Sequence, residues 1–381
     1  MAIISSRSRH RAPFLGAAVL AGTALAGMLS AAPAGASAAT QPRAASATTS
    51  FTVNGFFNGV TATSASNAWA VGGNNGITLI AHWNGTGWKQ VPSPNGSNGA
   101  NFLEGVAATS ASNAWAVGSD TTNSSPGGEP LIERWNGSTW KVVAAPTFSG
   151  LTNILYGVAA VSASNAWAVG SYDNSSDNSQ SLVLHWNGTT WKKVPSPNPS
   201  TQFTVLYGVT AMSATNAWAV GTADFSPLIL HWDGTSWQQV PSPATPAFDT
   251  LYGVAASSAT NAWAVGSDSV KGTLSFHWNG TTWTQTTGPS ASLDLFTGVA
   301  ATSATSPWAV GSADNSTLIA RWNGTTWKRV PSPNPTKVQV HAFNGVAATS
   351  ATNAWAVGHT STNNGGNEKT LIAHWNGTSW K

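Results

Sequence analysis

The chain has 381 residues, of which only 8% are charged, against about 25% in an average soluble domain. It carries 41% apolar residues and 21 Trp but no Cys, which allows a large core and excludes disulfide-stapled folds and Cys-ligated zinc. The net charge of +3 comes from Arg7, Arg9 and Arg11; the other 13 basic residues balance 13 acidic ones, so nothing argues for nucleic acid or acidic lipid as a partner.

Residues 1–38 have the three parts of a secretory signal peptide. Ser6 to Arg11 is basic, and Phe14 to Leu29 is apolar. Ala34-Gly35-Ala36 or Ala36-Ser37-Ala38 offers the small residues a signal peptidase needs. Gly16, Thr23 and Gly27 interrupt the apolar run, which disfavours a bilayer span of about 20 residues. No Cys follows it, so a lipoprotein anchor is excluded. The expectation is export to the extracellular space, with no membrane association once the signal is cleaved. Residues 39–50, mostly Ala, Ser and Thr, read as a disordered stalk.

Repetition dominates residues 51–381. The phrase Gly-Val-Ala-Ala-Thr-Ser-Ala-Ser-Asn-Ala-Trp-Ala-Val-Gly returns with small changes, its first Gly at 59, 105, 157, 208, 253, 298 and 345. His-Trp-Asn-Gly-Thr-x-Trp follows each time, so all 21 Trp are repeat positions. Two spacings never change: first Gly to first Trp (59 to 69) and second Trp to third (83 to 88). The other two connections vary in length.

Each repeat holds four short strand signals and no helical periodicity. In the first they are Gly59–Ser64, Ala68–Gly72, Leu79–Trp83 and Thr86–Val91. Asn67 suits a left-handed turn position between the first two. Asn84-Gly85 predicts a two-residue hairpin between the last two, and Pro92 and Pro94 stop the fourth strand. In strand two, Trp69 and Val71 point to one face, and Ala68, Ala70 and Gly72 to the other. A sheet that is bulky on one face and bare on the other packs well against its own copy. Four strands per repeat and seven repeats predict an all-β, seven-bladed β-propeller with four antiparallel strands per blade. The blades begin near residues 57, 103, 155, 206, 251, 296 and 343. The last blade is truncated at Trp380-Lys381, and Phe51–Val53 is expected to pair near that edge.

The Asn-Gly-Thr-x-Trp hairpin resembles the Asp-box hairpin (Ser-x-Asp-x-Gly-x-Thr-Trp) of sialidase-type propellers, departing from it at Trp83 and Asn84. A late Trp in each blade is similar to kelch and galactose-oxidase-like propellers, whose Gly-Gly doublet occurs here only as Gly72-Gly73. Trp-Asn-Gly-Thr-x-Trp is also similar to the repeats of bacterial seven-bladed propeller lectins. Taken together, residues 51–381 resemble secreted bacterial propellers with Trp-Ala-Val-Gly repeats. The resemblance implies the fold and says little about activity. A sialidase would need an arginine triad, yet only Arg43, Arg134, Arg321 and Arg329 lie beyond the leader. A galactose-oxidase mechanism needs a Cys-modified Tyr, which a chain without Cys cannot supply.

In such a blade the two fixed connections emerge on one face of the disc and the two variable ones on the other. Binding residues concentrate on variable loops held by a rigid frame. Just before each inner strand, at the mouth of the axial channel, stand Asn58, Glu104, Tyr156, Tyr207, Tyr252, Thr297 and Asn344. Three Tyr beside a Glu suit a sugar or a peptide, and these seven are the candidate ligand-binding residues. The second-to-third-strand loops add Asn74, Asn75, Asp120, Asp173, Asp177, Asp224, Asp268 and Asp314. Of these, Asp173 and Asp177 are weak calcium candidates, although the EF-hand order is missing and acidic turn residues are commoner than metal sites. No other metal or cofactor is expected.

The remaining features read mostly as scaffold. His82, His185, His231, His277 and His374 share one repeat position with Arg134 and Arg321 and sit on different blades, so they cannot converge on a metal. Most Trp must be core, with a few strand-four Trp partly exposed. Glu104, Glu129, Glu133, Arg134, His341, His359, Glu368 and Lys369 break the repeat, and Glu104 with Glu129 is a candidate acid/base pair. The sequence favours a secreted, monomeric, non-catalytic module that recognises an extracellular or cell-wall glycan. A scaffold for an exported protein is the alternative, and a polysaccharide-active hydrolase or lyase comes third.

Overall fold

In the first repeat, four strands form one antiparallel sheet in chain order: β1 (Phe56–Ser64), β2 (Asn67–Asn74), β3 (Ile77–Trp83) and β4 (Trp88–Val91). The computed structural model describes residues 51–381, apart from 97–98, 122–126, 149–151, 175, 177, 246–247, 292, 336–338 and 363–366. Across those residues the blade recurs seven times in a ring, with four strands in six blades and three strands plus a Trp375–Trp380 bridge in the seventh, and no helix occurs among them. The chain is an all-β, seven-bladed β-propeller.

Alternation along β2 builds the core between blades. Trp69 and Val71 pack with Leu103, Val106, Ala114 and Ala116 of blade two. On the opposite face, Ala68 and Ala70 receive Trp355 and Val357 of blade seven. Each second-strand Trp inserts between the third- and fourth-strand Trp of the next blade. Trp69 lies 4.9 Å from Trp135 and 5.2 Å from Trp140, and the pattern runs round to Trp355 with Trp83 and Trp88. The fourth-strand contacts are edge-to-face, the arrangement the aromatic quadrupole favours. All seven fourth-strand Trp are buried. The partly exposed Trp are instead Trp135, Trp232, Trp278 and Trp322 of the third strands, while each fourth-strand Trp packs edge-on against the second-strand Trp of the preceding blade.

The two fixed turns differ from the sequence expectation. Asn67 is not in a left-handed turn but is buried at the start of β2, where its Nδ2 donates to Thr63 Oγ1 and its Oδ1 meets His82 Nε2. The turn itself is Ala65-Ser66, with the Ser66 N–H donating to Ser64 Oγ. The β3–β4 connection is a four-residue loop, Asn84 to Gly87, between paired Trp83 and Trp88. Only Gly85 has positive φ. Asn84 Oδ1 accepts from the N–H groups of Thr86 and Gly87 and from Thr86 Oγ1. This Asx arrangement replaces the two-residue turn because the side chain supplies the acceptor. A two-residue turn with both φ positive does occur, at Asn75-Gly76 on the opposite face.

Closure uses both ends of the propeller. Trp380 bridges to Trp375, while Val53 and Gly55 exchange backbone hydrogen bonds with Glu368 and Thr370 on the same strand. The outer strand of blade seven is thus shared between the two chain ends, and Phe51 stacks 6.2 Å from Phe57. Blade six is irregular where Ser306-Pro307 replaces Asn-Ala. Its inner strand stops at Ala300 and its second strand begins only at Trp308, since Pro lacks the donor that the ladder needs.

Candidate functional site

A β-bulge places every residue at the channel mouth. In blade one the register slips between Phe57 and Gly59, leaving Asn58 as the extra residue. The same slip leaves Glu104, Tyr156, Tyr207, Tyr252, Thr297 and Asn344 unpaired in the other inner strands. A bulge re-aims its extra side chain, so each blade delivers one residue to the axis. The repeat's two glycines serve this device. A Cβ on Gly72 would overlap the Phe56 carbonyl oxygen across the bulge, and the six counterparts of Gly72 have the same obstruction. A Cβ on Gly59 would lie 3.0 Å from the Glu104 carbonyl oxygen of the next blade.

The seven residues come together as two unlike arcs, all partly exposed. In the polar arc, Asn344 Nδ2 donates to the Phe57 carbonyl at 2.8 Å and lies 3.3 Å from Asn58 Oδ1. Asn58 Nδ2 donates to Glu104 Oε2 at 2.8 Å. Thr297 Oγ1 continues the arc with a 2.7 Å bond to the Phe343 carbonyl. The aromatic arc is Tyr156, Tyr207 and Tyr252, with ring centroids 5.0 and 5.4 Å apart. Burial, reinforced by Tyr207 and then Glu104, holds the Tyr156 hydroxyl far above its ordinary range. Burial and then Tyr252 do the same for Tyr207. Both stay protonated in any physiological medium. Glu129 does not join Glu104: it pairs with Asp120 two strands away, roughly 12 Å by strand spacing and rise.

The variable face carries aromatic residues on the same side as the Tyr arc. Phe203, Phe225 and Phe248 form a ladder with centroids 5.5 and 5.4 Å apart. Phe225 and Phe248 are 49% and 65% exposed and have φ of 62° and 72°. Asn and Asp tolerate that region, but for a bulky residue it is an outlier. In the sequence these Phe stand as isolated loop residues; only strand pairing brings them into a row.

The acidic loop residues are scattered. Asp173 Oδ1 accepts from Ser179 Oγ, and Asp224 Oδ1 from Ser200 Oγ. Asp177 lies outside the described residues. Among the described residues no three His, Asp or Glu side chains gather as a metal-binding group. The repeat histidines stack on the second-strand Trp, His82 at 4.1 Å from Trp69. Arg134 and Arg321 take the same place over Trp115 and Trp308. Two surface hollows of about 370 and 420 Å³ lie at equivalent positions of blades three and six, beside Ser196-Pro197-Asn198 and Ser332-Pro333-Asn334. There Asn198 and Asn334 accept the Ser181 and Thr317 N–H groups of the third strands. Because they recur with the repeat, the hollows read as scaffold.

Sequence reasoning singled out Glu133 as a break in the repeat but not its environment, and it missed the pairing of two aspartates. Glu133 is fully buried where other blades have Ala, Leu or Phe, and it accepts from Ser93 Oγ at 3.2 to 3.3 Å. Asp249 and Asp268 are buried together in blade five. Counting back four residues from Gly253 and forward two from Gly266 would have aligned this second pair.

No family model and no curated protein matches the chain. Solved structures do. YCF48 bound to D1 peptide superposes with a TM-score of 0.54 at 13% identity, over 85% of this chain and 94% of that one. The Aleuria aurantia lectin in complex with Fucα1-6GlcNAc gives 0.51 at 14% identity, over 73% and 94%. A GH74 xyloglucanase from Xanthomonas campestris gives 0.60 at 14% identity, over 87% of this chain and 55% of that one. At such identities the likeness is one of fold.

Proposed function

We propose that this protein is an exported, non-catalytic binding module that holds a glycan at the mouth of its axial channel. The carrying observation is the asymmetry of the mouth, with three adjacent, mutually tilted Tyr rings on one side and Asn344, Asn58 and Glu104 on the other. A pyranose has an apolar C–H face and a hydroxyl edge. The Tyr arc fits the first and the amide–carboxylate arc the second. Similarity to propellers that are a lectin with a bound fucosyl disaccharide and a xyloglucanase supports this reading. The leader at 1–38 would deliver the module outside the cell, where such glycans occur.

A peptide or protein ligand is the second reading. The exposed Phe225–Phe248 ladder favours it, as does the likeness to a propeller bound to a peptide. Residues 39–381 applied to a glycan array and to purified cell-wall fractions separate the two. Saturable retention that a free sugar competes away supports the glycan reading. Absence of retention by folded, all-β protein, with capture of an exported protein instead, overturns it.

A further inference from the structure

In blade five, Asp249 and Asp268 occupy the ladder position where Asn101 pairs with Asp120 in blade two, one step beyond the Thr250–Ser267 pair. Two carboxylates thus face each other across adjacent strands, an arrangement that like charge disfavours. They are 0% and 2% exposed. Their Oδ1 atoms are engaged by the backbone of the following loop. Asp249 Oδ1 accepts the Ser269 N–H, and Asp268 Oδ1 accepts those of Val270 and Lys271. Three consecutive amides of the loop between paired Asp268 and Gly272 are therefore held by this one pair. Both Oδ2 atoms are buried without a hydrogen-bond partner among the described residues, while the Thr245 and Ser269 hydroxyls approach the Asp249 carboxyl and partly offset its burial.

A buried, unpartnered carboxylate oxygen costs free energy, and two side by side cost more. We propose that Asp249 and Asp268 bind a hard divalent cation, of the Ca²⁺ class, through their Oδ2 atoms. Oxygen-only donors suit Ca²⁺ or Mg²⁺ rather than a transition metal, with main-chain carbonyls and water completing the shell. The burial and the Asp268 charge that push the Asp249 carboxyl upward are what a cation would offset. Phe248, at positive φ and 65% exposed, directly precedes Asp249, and Val270, 64% exposed, lies on the tethered loop. The cation would fix the apolar apex of the ligand face. This site is independent of the channel mouth.

The test is titration of EDTA-treated, full propeller with CaCl₂ and with MgCl₂ by calorimetry, alongside thermal denaturation. One cation per chain and a raised denaturation midpoint are expected. Asp249→Asn and Asp268→Asn should each weaken binding at least 100-fold, whereas Asp173→Asn should leave it unchanged. In EDTA the two variants should be at least as stable as the parent, since they relieve the repulsion, and this keeps the test clear of misfolding. Absence of heat and of a midpoint shift with either cation overturns the proposal and leaves a proton shared by the pair. So does undiminished binding by the Asn variants.

Discussion

Trp355 and Trp83 meet at 4.8 Å with their planes 54° apart, across the junction where the seventh blade closes on the first. The same junction is laced from outside by Val53 and Gly55. A chain beginning at residue 56 loses that lacing but keeps the Trp contact. It should melt below a chain beginning at 51, with the β circular-dichroism signal intact below the transition. Equal midpoints would show that the N-terminal strand does not close the ring. Trp355→Ala should cost about 3–5 kcal/mol as a large-to-small core change.

Gly72→Ala should destabilise severely, because the new Cβ overlaps the Phe56 carbonyl and the bulge beneath Asn58 must shift. Gly87→Ala, in the Asn84 loop, meets nothing within 4 Å and should be close to neutral. Urea denaturation of both variants checks the contrast; similar losses would mean the bulge is not the constraint.

Acid should weaken the fold through the stacked histidines. Burial lowers the pKa of His82, His185, His231, His277 and His374. Below about 6.5 the unfolded chain therefore binds more protons than the folded one, and stability falls as pH drops. Arg already holds this position in blades two and six. His277→Arg should flatten the acid limb of a midpoint-versus-pH curve by one residue's share, and an unchanged limb would count against the stack as its source.

Glu133 acts in the opposite direction. Burial pushes its carboxyl from 4.5 up to about 8, against a smaller opposing effect of the Ser93 hydrogen bond. The folded protein thus holds a proton the unfolded chain has lost. Its stabilising share is complete below 4.5 and disappears as pH rises toward 8, at up to about 1.4 kcal/mol per pH unit. Glu133→Leu should remove this decline and raise the midpoint at pH 8. A parallel decline in the variant would place the cause elsewhere.

At the channel mouth, Tyr207→Ala and Glu104→Ala should each weaken glycan retention about tenfold or more, as central contact residues do. Exposed Lys141 on the outer strand of blade two, changed to Ala, should leave retention unchanged. Equal losses from all three would place binding away from the axis.

Repetition alone determined the architecture. Invariant spacings from Gly59 to Trp69 and from Trp83 to Trp88 define two rigid turns per unit, and the alternation of Trp69 and Val71 with Ala68 and Ala70 defines two faces that must stack. Even the seven mouth residues were legible, since each breaks a pattern that its neighbours keep. The roles of polar side chains were not. Asn67 and Asn84 are the same residue type at the two fixed connections, yet one flanks a two-residue turn and is buried against His82, while the other begins a four-residue loop and ties it. The third strand brings His82 alongside Asn67, whereas Asn84 finds its partners within its own loop. The division of the mouth into polar and aromatic arcs, the Phe203–Phe225–Phe248 ladder and the facing of Asp249 and Asp268 are likewise tertiary. Each joins residues from different strands or blades, and the bulge register and ring closure, rather than any local preference, decide which side chains meet.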